Sequence, residues 1–126
     1  MTSLPNSCPC GGADYHRCCE PLHDGAREAA TAVELMRGRY SAYAKGRFDY
    51  VYRTWHPRTR PRSIDADHLT WHQLAITDSV AGGPDEDFGT VEFTASYRDG
   101  GRSGNLHERS RFMRRAGRWC YLDAEG

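Results

Sequence analysis

The sequence has little aliphatic apolar material. Leu, Ile, Val and Phe together make up only 17 of its 126 residues, a fraction that indicates disorder when it accompanies a high net charge. Here the net charge is zero, because 17 acidic residues balance 17 basic ones. Three Trp and seven Tyr supply apolar area instead, since each aromatic side chain buries roughly 150–250 Å². We therefore expect a folded chain with a lean core.

Three further absences narrow the class of protein. The sequence contains no run of eighteen apolar residues and no N-terminal basic segment followed by an apolar one, so neither a membrane span nor a secretory signal is expected. Lysine is almost missing, because Lys45 is the single lysine among the 17 cationic residues, and the arginines are spread beside acids. That pattern gives no strong nucleic-acid signal. We expect a cytoplasmic protein without a membrane partner.

Cysteine, by contrast, is concentrated in one short segment, and the fifth cysteine, Cys120, is expected in the core. Clustered cysteines in a cytoplasmic chain favour metal ligation over disulfides. Two glycines between the cysteine pairs let the backbone turn back sharply, and Zn²⁺ accepts four thiolates. Disulfides or free thiols are the alternative, although adjacent cysteines in so short a loop strain most pairings. The predicted zinc ligands are Cys8, Cys10, Cys18 and Cys19.

Four protein ligands indicate a structural ion rather than a catalytic one, since a catalytic zinc keeps one position open for water. A structural zinc contributes roughly 10–16 kcal/mol of binding energy in small zinc-finger peptides, enough to fold a segment with few apolar residues. His16 and His23 are nearby candidates to replace one thiolate.

The run from Cys8 to Cys19 resembles the SEC-C motif, a small zinc-binding module found at the C-terminus of the preprotein translocase ATPase and in other bacterial proteins. Its spacer between Cys10 and Cys18 is one residue shorter than the usual form, which carries Gly-Ser-Gly, so the fourth ligand stays open between Cys19 and a histidine. Further segments make nearly the whole chain resemble the bacterial YchJ family: PLHDG at residues 21–25, ATAVELMRGRYSAY at residues 30–43, TWHP at residues 54–57 and LHERSRF at residues 106–112.

This resemblance implies a SEC-C zinc segment over residues 1–25 and a nuclear transport factor 2-like α+β domain over residues 26–126. Such a domain is a cone of curved antiparallel sheet packed on helices. The resemblance implies no established biochemical activity.

The residues themselves also predict helices first. Thr31 and Glu34 form a capping box that begins a helix, and Gly46 is placed to end it. Apolar residues from Val33 to Tyr43 recur at helical spacing, which leaves three cations mostly on the solvent side: Arg37, Arg39 and Lys45. A second short helix is expected from Phe48 to about His56, because the residue before a proline avoids the α region.

From His72 onward the period changes to two, with Gly-rich breakers between the segments. Short links favour an antiparallel meander, so the sequence predicts an α+β fold. The expected strands are His72–Val80, Thr90–Arg98, Asn105–Arg114 and Arg118–Asp123.

Alternation along these strands places polar groups on an apolar surface. Glu108 and Ser110 share a face with Leu106 and Phe112, which costs free energy unless they find partners. A pocket is therefore predicted, lined by Tyr40, Tyr43, Trp55, His56, Trp71, Glu108, Ser110 and Tyr121. His72 is expected on the inner face of the first strand, and the candidates for general acid and base chemistry are Glu108, His56 and His72. The structural alternative is that Glu108 pairs with a buried arginine or caps a helix.

Two main functions follow. The first is a binding or adaptor protein, whose zinc knuckle docks a protein or ribosomal partner and whose cone holds a small-molecule ligand. The second is a small hydrolase or isomerase that uses Glu108 with His56 or His72. A redox or zinc sensor is a third hypothesis, because thiolate clusters release metal on oxidation.

Overall fold

The chain places its helices before its strands, which confirms the predicted α+β class. A computed structural model describes residues 7–64 and 68–125. After a 3-10 turn at Tyr15–Arg17, the elements are α1 (Glu20–His23), α2 (Ala32–Lys45), α3 (Phe48–Arg53), β1 (Thr70–Ala81), β2 (Phe88–Asp99), β3 (Arg102–Arg115) and β4 (Arg118–Ala124).

Both ends of α2 lie where local sequence predicts them. The Thr31 side chain accepts a hydrogen bond from the Glu34 amide at 3.1 Å, and Gly46 ends the helix in the left-handed region with φ 75°. A residue with a Cβ is strained in that region, so glycine suits the position. The Glu34 carboxylate accepts from the Ala30 amide at 2.7 Å rather than from Thr31, so the capping box is displaced by one residue.

Helix α2 is buried on more than one side, which the sequence did not predict. Arg39 is only 5% exposed, so the expectation that it lies on the solvent side is wrong. Its Nη1 donates to the Val51 carbonyl and to Thr54 Oγ1, both at 2.9 Å. Helix α3 and the segment after it thus cover the side of α2 that carries Arg39. The spacing of apolar residues along α2 had indicated that this side faces solvent.

Helix α3 ends three residues before the expected position. Thr54 caps it, since its Oγ1 donates to the Tyr50 carbonyl at 2.6 Å. The following residues then pair with β4, where the His56 amide donates to the Tyr121 carbonyl and the Tyr121 amide donates to the Thr54 carbonyl, both at 2.8 Å. This short parallel bridge holds the Trp55 ring against the Tyr121 ring, with centroids 5.0 Å apart.

The four strands form one antiparallel sheet in the order β1-β2-β3-β4, so the predicted meander is confirmed. The hairpins turn through left-handed residues at the predicted breakers, with φ 62° at Gly100, 53° at Ala116 and 80° at Gly117. Positive φ at two successive residues gives the β3–β4 turn the twist that antiparallel strands need.

One irregularity in β1 overturns a prediction. The pairing with β2 shifts register between Trp71 and Gln73, so a bulge leaves His72 without a paired residue. Trp71, Leu74 and Ile76 are half-buried, whereas His72 is exposed. His72 therefore does not share the inner face with Leu74 and Ile76, as strict alternation predicted.

A close approach at the end of the sheet anchors the start of α2. The Ala32 amide donates to the Gly82 carbonyl at 2.9 Å, and a Cβ on Gly89 would lie 2.5 Å from the Gly82 Cα. Only glycine permits this contact, so the helix is docked on the β1–β2 end through backbone atoms.

The main core lies between the helices and the inner face of the sheet. A second, smaller cluster of buried side chains surrounds the N-terminal cysteines. Across residues 7–64 and 68–125, no helix has the length and apolar character needed to cross a membrane.

Candidate functional site

The four N-terminal cysteines converge on one point. Their Sγ atoms all lie within 4.8 Å of one another, with 3.5 Å between Cys10 and Cys18 and 3.9 Å between Cys18 and Cys19. A tetrahedral zinc ion with Zn–S bonds of about 2.3 Å requires sulfurs about 3.8 Å apart. All five cysteines of the chain are free, so none of these sulfurs forms a disulfide. The donor set therefore fits a closed metal site.

The chemistry of these thiols also suits a cation. The neighbouring Cys10 and Cys19 thiols lower the pKa of the Cys8 thiol by hydrogen bonding, whereas burial raises the pKa of the Cys18 thiol to about 12. Four thiolates in one buried cluster repel one another, so they need a positive ion at the centre to be deprotonated together.

Neither candidate histidine joins the cluster. His23 is fully buried, and its Nε2 donates to the Gly38 carbonyl at 2.9 Å while its Nδ1 accepts from the Tyr15 hydroxyl at 2.7 Å. Both ring nitrogens are thus used, because the carbonyl can only accept and fixes the tautomer. His16 lies on the surface, with its Nδ1 2.7 Å from the Glu20 carboxylate. Cys19, and neither histidine, thus lies with the other three sulfurs.

Helix α2 and an adjacent arginine fasten the cysteine loop to the body of the chain. Arg37 donates to the Cys10 carbonyl and Arg27 to the Cys18 carbonyl, both at 2.9 Å, and Ser41 Oγ lies 3.5 Å from Cys8 Sγ. A zinc ion with four thiolates carries two net negative charges, which nearby guanidinium groups offset. The loop is therefore anchored to α2 by polar contacts as well as by packing.

A cavity of about 420 Å³ opens between α2 and the inner face of the sheet. Its wall is mostly aromatic and aliphatic, with a few polar groups set into it. The helical side contributes Met36, Arg39, Tyr40, Tyr43 and Trp55, and the sheet side contributes Leu69, Trp71, Phe93, Ala95, Tyr97, Asn105, Leu106, Glu108, Ser110 and Tyr121.

Glu108 is the carboxylate of the sheet wall. Its Oε2 accepts from the Ser110 hydroxyl at 2.5 Å and from the Tyr121 hydroxyl at 3.1 Å. Burial, together with the Glu108 charge, raises the pKa of Tyr121, so the phenol stays a proton donor at neutral pH. These partners offset the cost of placing Glu108 on an apolar face, which differs from the expected pairing with an arginine or a helix end.

Arg39 is the cation of the helical wall. Its guanidinium carbon lies 5.1 Å from the centroid of the Trp55 ring and 4.7 Å from that of the Tyr121 ring. Burial lowers the pKa of Arg39, yet arginine keeps its proton in proteins. Among residues 7–64 and 68–125, no carboxylate lies within 4.0 Å of it. The charge is held by two neutral acceptors and two rings.

Two further polar atoms of the helical wall are unsatisfied. In the described part of the chain, the Tyr40 hydroxyl and the Trp55 indole nitrogen are buried without a hydrogen-bond partner. Burial also raises the pKa of Tyr40 to about 12. Unpaired buried donors are uncommon in folded proteins and each costs roughly 1–3 kcal/mol.

The structure separates the candidate residues into two groups. It brings together around the cavity Tyr40, Tyr43, Trp55, Trp71, Glu108, Ser110 and Tyr121. His56 and His72 are not part of the lining. His56 follows the α3 cap and accepts from the Arg58 amide through Nδ1 at 3.1 Å, while the bulge turns His72 outward. The expectation that these histidines face Glu108 is therefore wrong.

Sequence reasoning missed Arg39 as a cavity residue. A usable signal was present, because position 39 is three residues after Met36 and four before Tyr43, which places it on the same helical face. Phe93 and Tyr97 share their strand face with Val91 and also line the cavity, so the same alternation argument that located Glu108 extends to them.

The outer face of the sheet carries ion pairs. Arg109 lies 2.9 Å from both Asp78 and Glu92, and Arg111 contacts Asp123 through two nitrogens at 2.6 Å. These arginines are thus paired with acids on the surface, and Cys120 is buried outside the cavity lining.

Comparison with protein families finds one matching model, described as the middle NTF2-like domain of YchJ, over residues 31–124. A UPF0225 protein of Streptomyces coelicolor is 48% identical over 120 residues, which cover 94% of each chain. A UPF0225 protein of Chromobacterium violaceum is 45% identical over 121 residues, covering 92% of this chain and 90% of that protein.

Two solved structures of SEC-C motif-containing proteins share the fold. The solution structure from Rhodopseudomonas palustris is 38% identical, with a TM-score of 0.82 and coverage of 95% of this chain and 98% of that one. The crystal structure from Psychrobacter arcticus is 27% identical, with a TM-score of 0.79 and coverage of 98% and 84%. Their likeness extends over both the cysteine loop and the helix-and-sheet body.

Proposed function

The chain belongs to the YchJ family, and from that premise we propose that it is a binding protein built in two parts. A structural zinc ion holds the N-terminal loop through Cys8, Cys10, Cys18 and Cys19. The cavity between α2 and the sheet receives a small, largely apolar ligand.

The observation that carries the ligand proposal is the cavity itself. Its volume of about 420 Å³ falls within the range of roughly 300–1,000 Å³ typical of small-molecule sites. Such sites combine an apolar and aromatic lining with a few placed polar groups, as Arg39, Glu108 and Ser110 are placed here. A core that served packing alone would fill this space with side chains.

Zinc is proposed from the geometry of the four sulfurs and from the SEC-C names of the two structural neighbours. Four thiolates leave no position for a reacting water, so the ion has a structural role. The contacts of the loop with Arg37 and Ser41 indicate that metal binding stabilises the attachment of the loop to α2. Docking of a protein or ribosomal partner by this loop stays a prediction.

A hydrolase or isomerase is the less favoured function. General acid and base chemistry by Glu108 requires a second titrating group within hydrogen-bond reach of the reacting atoms. Neither His56 nor His72 lines the cavity, and Glu108 Oε2 is occupied by two hydroxyl donors. The contacts of Glu108 therefore suit a fixed charge in the cavity wall better than a group that transfers protons.

Zinc content tests the first half of the proposal. We expect purified protein to hold about one zinc ion per chain, measured by elemental mass spectrometry against protein concentration. Cys8→Ser removes one ligand and should lower both the zinc content and the melting temperature. Cys120→Ser is the matched control, because Cys120 lies outside the cluster, and it should retain the ion. Equal zinc in the two variants would contradict the four-sulfur site.

A neutral fluorescent probe tests the second half. N-phenyl-1-naphthylamine gains fluorescence in apolar sites, and Trp55 and Trp71 in the cavity wall can transfer excitation energy to it. Leu106→Trp should narrow the cavity and weaken probe binding at least fivefold. Val80→Trp is the control, because Val80 is similarly exposed on the same sheet but outside the cavity. Equal binding by both variants would place the probe elsewhere.

A further inference from the structure

The cavity is lined by the buried guanidinium group of Arg39, whose Nε and Nη2 atoms make no hydrogen bond to the residues that the structure describes. We propose that the ligand is a small organic carboxylate with an apolar or aromatic body, and that Arg39 binds its carboxylate. This inference rests on the proposed function, since it names the chemical class of ligand that the same cavity takes.

The first step of the argument is the use of the Arg39 nitrogens. Nη1 has two hydrogens, and they are directed to the Val51 carbonyl and to Thr54 Oγ1. Among residues 7–64 and 68–125, Nε and Nη2 make no hydrogen bond. These two nitrogens donate side by side in a planar fork that matches the two oxygens of a carboxylate.

The same chain shows what this fork binds when an acid is available. On the outer face of the sheet, Arg111 donates from Nε and Nη2 to the two carboxylate oxygens of Asp123, both at 2.6 Å. Arg39 lines the cavity, and the same pair of nitrogens makes no hydrogen bond among the described residues. The difference is that no side-chain carboxylate of the described residues lies within 4.0 Å of Arg39.

The second step is electrostatic. Arg39 is buried and already removed from bulk water, so a ligand that binds it incurs little further desolvation of the guanidinium. The rings of Trp55 and Tyr121 hold the guanidinium in place, which leaves the fork oriented before the ligand arrives. Among the described residues no carboxylate lies within 4.0 Å of Arg39, and Glu108 acts on its charge only from a greater distance. A buried, fixed cation of this kind favours an oxyanion over a neutral acceptor.

The sheet side of the cavity determines the orientation of the ligand. Glu108 lies on the sheet side, where it repels a second carboxylate. The helical side instead holds unsatisfied polar atoms, namely the Tyr40 hydroxyl and the Trp55 indole nitrogen. The carboxylate of the ligand therefore points toward α2, and its apolar body lies against the aromatic rings of the sheet.

A pair of isosteric probes tests the inference on the unmodified protein. 2-Naphthoate and 2-naphthamide have nearly the same shape and differ in charge at pH 7. We expect the protein to bind naphthoate at least tenfold more tightly, measured by isothermal titration calorimetry. Because the comparison needs no variant, it does not depend on whether any substitution folds.

Variants then test whether Arg39 causes the preference for naphthoate over naphthamide. Arg39→Met keeps the length and apolar stem of the side chain and should abolish the preference for naphthoate. Arg118→Met is the matched control, since Arg118 is an exposed arginine outside the cavity, and should keep it. Glu108→Gln should strengthen naphthoate binding about threefold or more, because it removes the opposing charge.

The outcomes separate the inference from the proposed function. Equal affinities for naphthoate and naphthamide, together with binding of N-phenyl-1-naphthylamine in the cavity, would overturn the inference and keep the binding function. A preference for naphthoate that survives in a folded Arg39→Met protein would also overturn it. If none of the three probes binds, the cavity is not a ligand site and the proposed function fails.

Discussion

Replacing Glu108 by glutamine measures how much the charge of this carboxylate contributes to the stability of the fold. The glutamine side chain has the same shape, and its amide oxygen can still accept from the hydroxyls of Ser110 and Tyr121. A hydrogen bond to a charged group contributes about 1.5–3 kcal/mol and one between neutral groups about 0.5–1.5 kcal/mol. Two bonds that each lose about 1 kcal/mol give a loss of about 2 kcal/mol. The carboxylate is only half-buried, and screening by solvent reduces the expected loss to about 1–2 kcal/mol.

Urea unfolding followed by tryptophan fluorescence gives the free energy of unfolding for this test. Glu108→Gln should lower the urea midpoint without changing the slope, since the surface exposed on unfolding is unaltered. Glu28→Gln is the control, because Glu28 is an exposed acid outside the cavity lining, and it should change stability by less than about 0.5 kcal/mol.

A double-mutant cycle with Ser110→Ala then isolates the contact. The combined loss should fall short of the sum of the two single losses by about 1 kcal/mol, since Glu108→Gln weakens the same hydrogen bond that Ser110→Ala removes. Additive losses, or a Glu108→Gln protein as stable as the wild type, would refute the account of Glu108 as an acceptor held by two hydroxyls.

Three other predictions follow from particular contacts. Gly89→Ala should cost more than about 2 kcal/mol in urea unfolding, because its Cβ would lie 2.5 Å from a backbone Cα, whereas Gly101→Ala meets nothing within 4 Å and should be nearly neutral. Trp119→Phe should destabilise the chain more than Trp55→Phe by about 1–3 kcal/mol in the same assay. The Trp119 indole donates to the Ala30 carbonyl at 3.1 Å, whereas the Trp55 indole has no partner in the described residues. Burial lowers the pKa of His23, so the unfolded chain binds the proton more tightly and stability should fall as the pH drops below about 6.5, less steeply in His23→Gln. An equal pH slope in the two proteins would refute that assignment.

Local signals in the sequence predicted both ends of α2. Thr31 and Gly46 act within a few residues of themselves, so their roles are readable without knowing the rest of the fold. The cysteine spacing likewise predicted a cluster, because all four cysteines come from one loop. That His23 lies outside the cluster could not be predicted, since its position depends on the distant Gly38 carbonyl that accepts its hydrogen bond.

The errors arise where distant elements meet. Arg39 was placed in solvent although its spacing from Met36 and Tyr43 puts it on their face of α2. That spacing does not reveal α3 or β4, which supply the acceptors and a ring that accommodate a buried guanidinium group. His72 was turned inward because strict alternation does not reveal a bulge, whose position depends on the partner strand. His56 was included because the predicted helix extended too far, whereas the chain leaves α3 at Thr54 to pair with β4.

Helix α2 contacts the cysteine loop and also lines the cavity. Arg37 and Ser41 contact the loop, while Arg39 and Tyr40, which lie between them in the sequence, line the cavity. A shift of the helix at one set of contacts would therefore reach the other within about one turn. Under the proposed function this would link the two affinities reciprocally: a bound ligand would tighten the binding of the ion by the same factor by which the ion tightens the binding of the ligand.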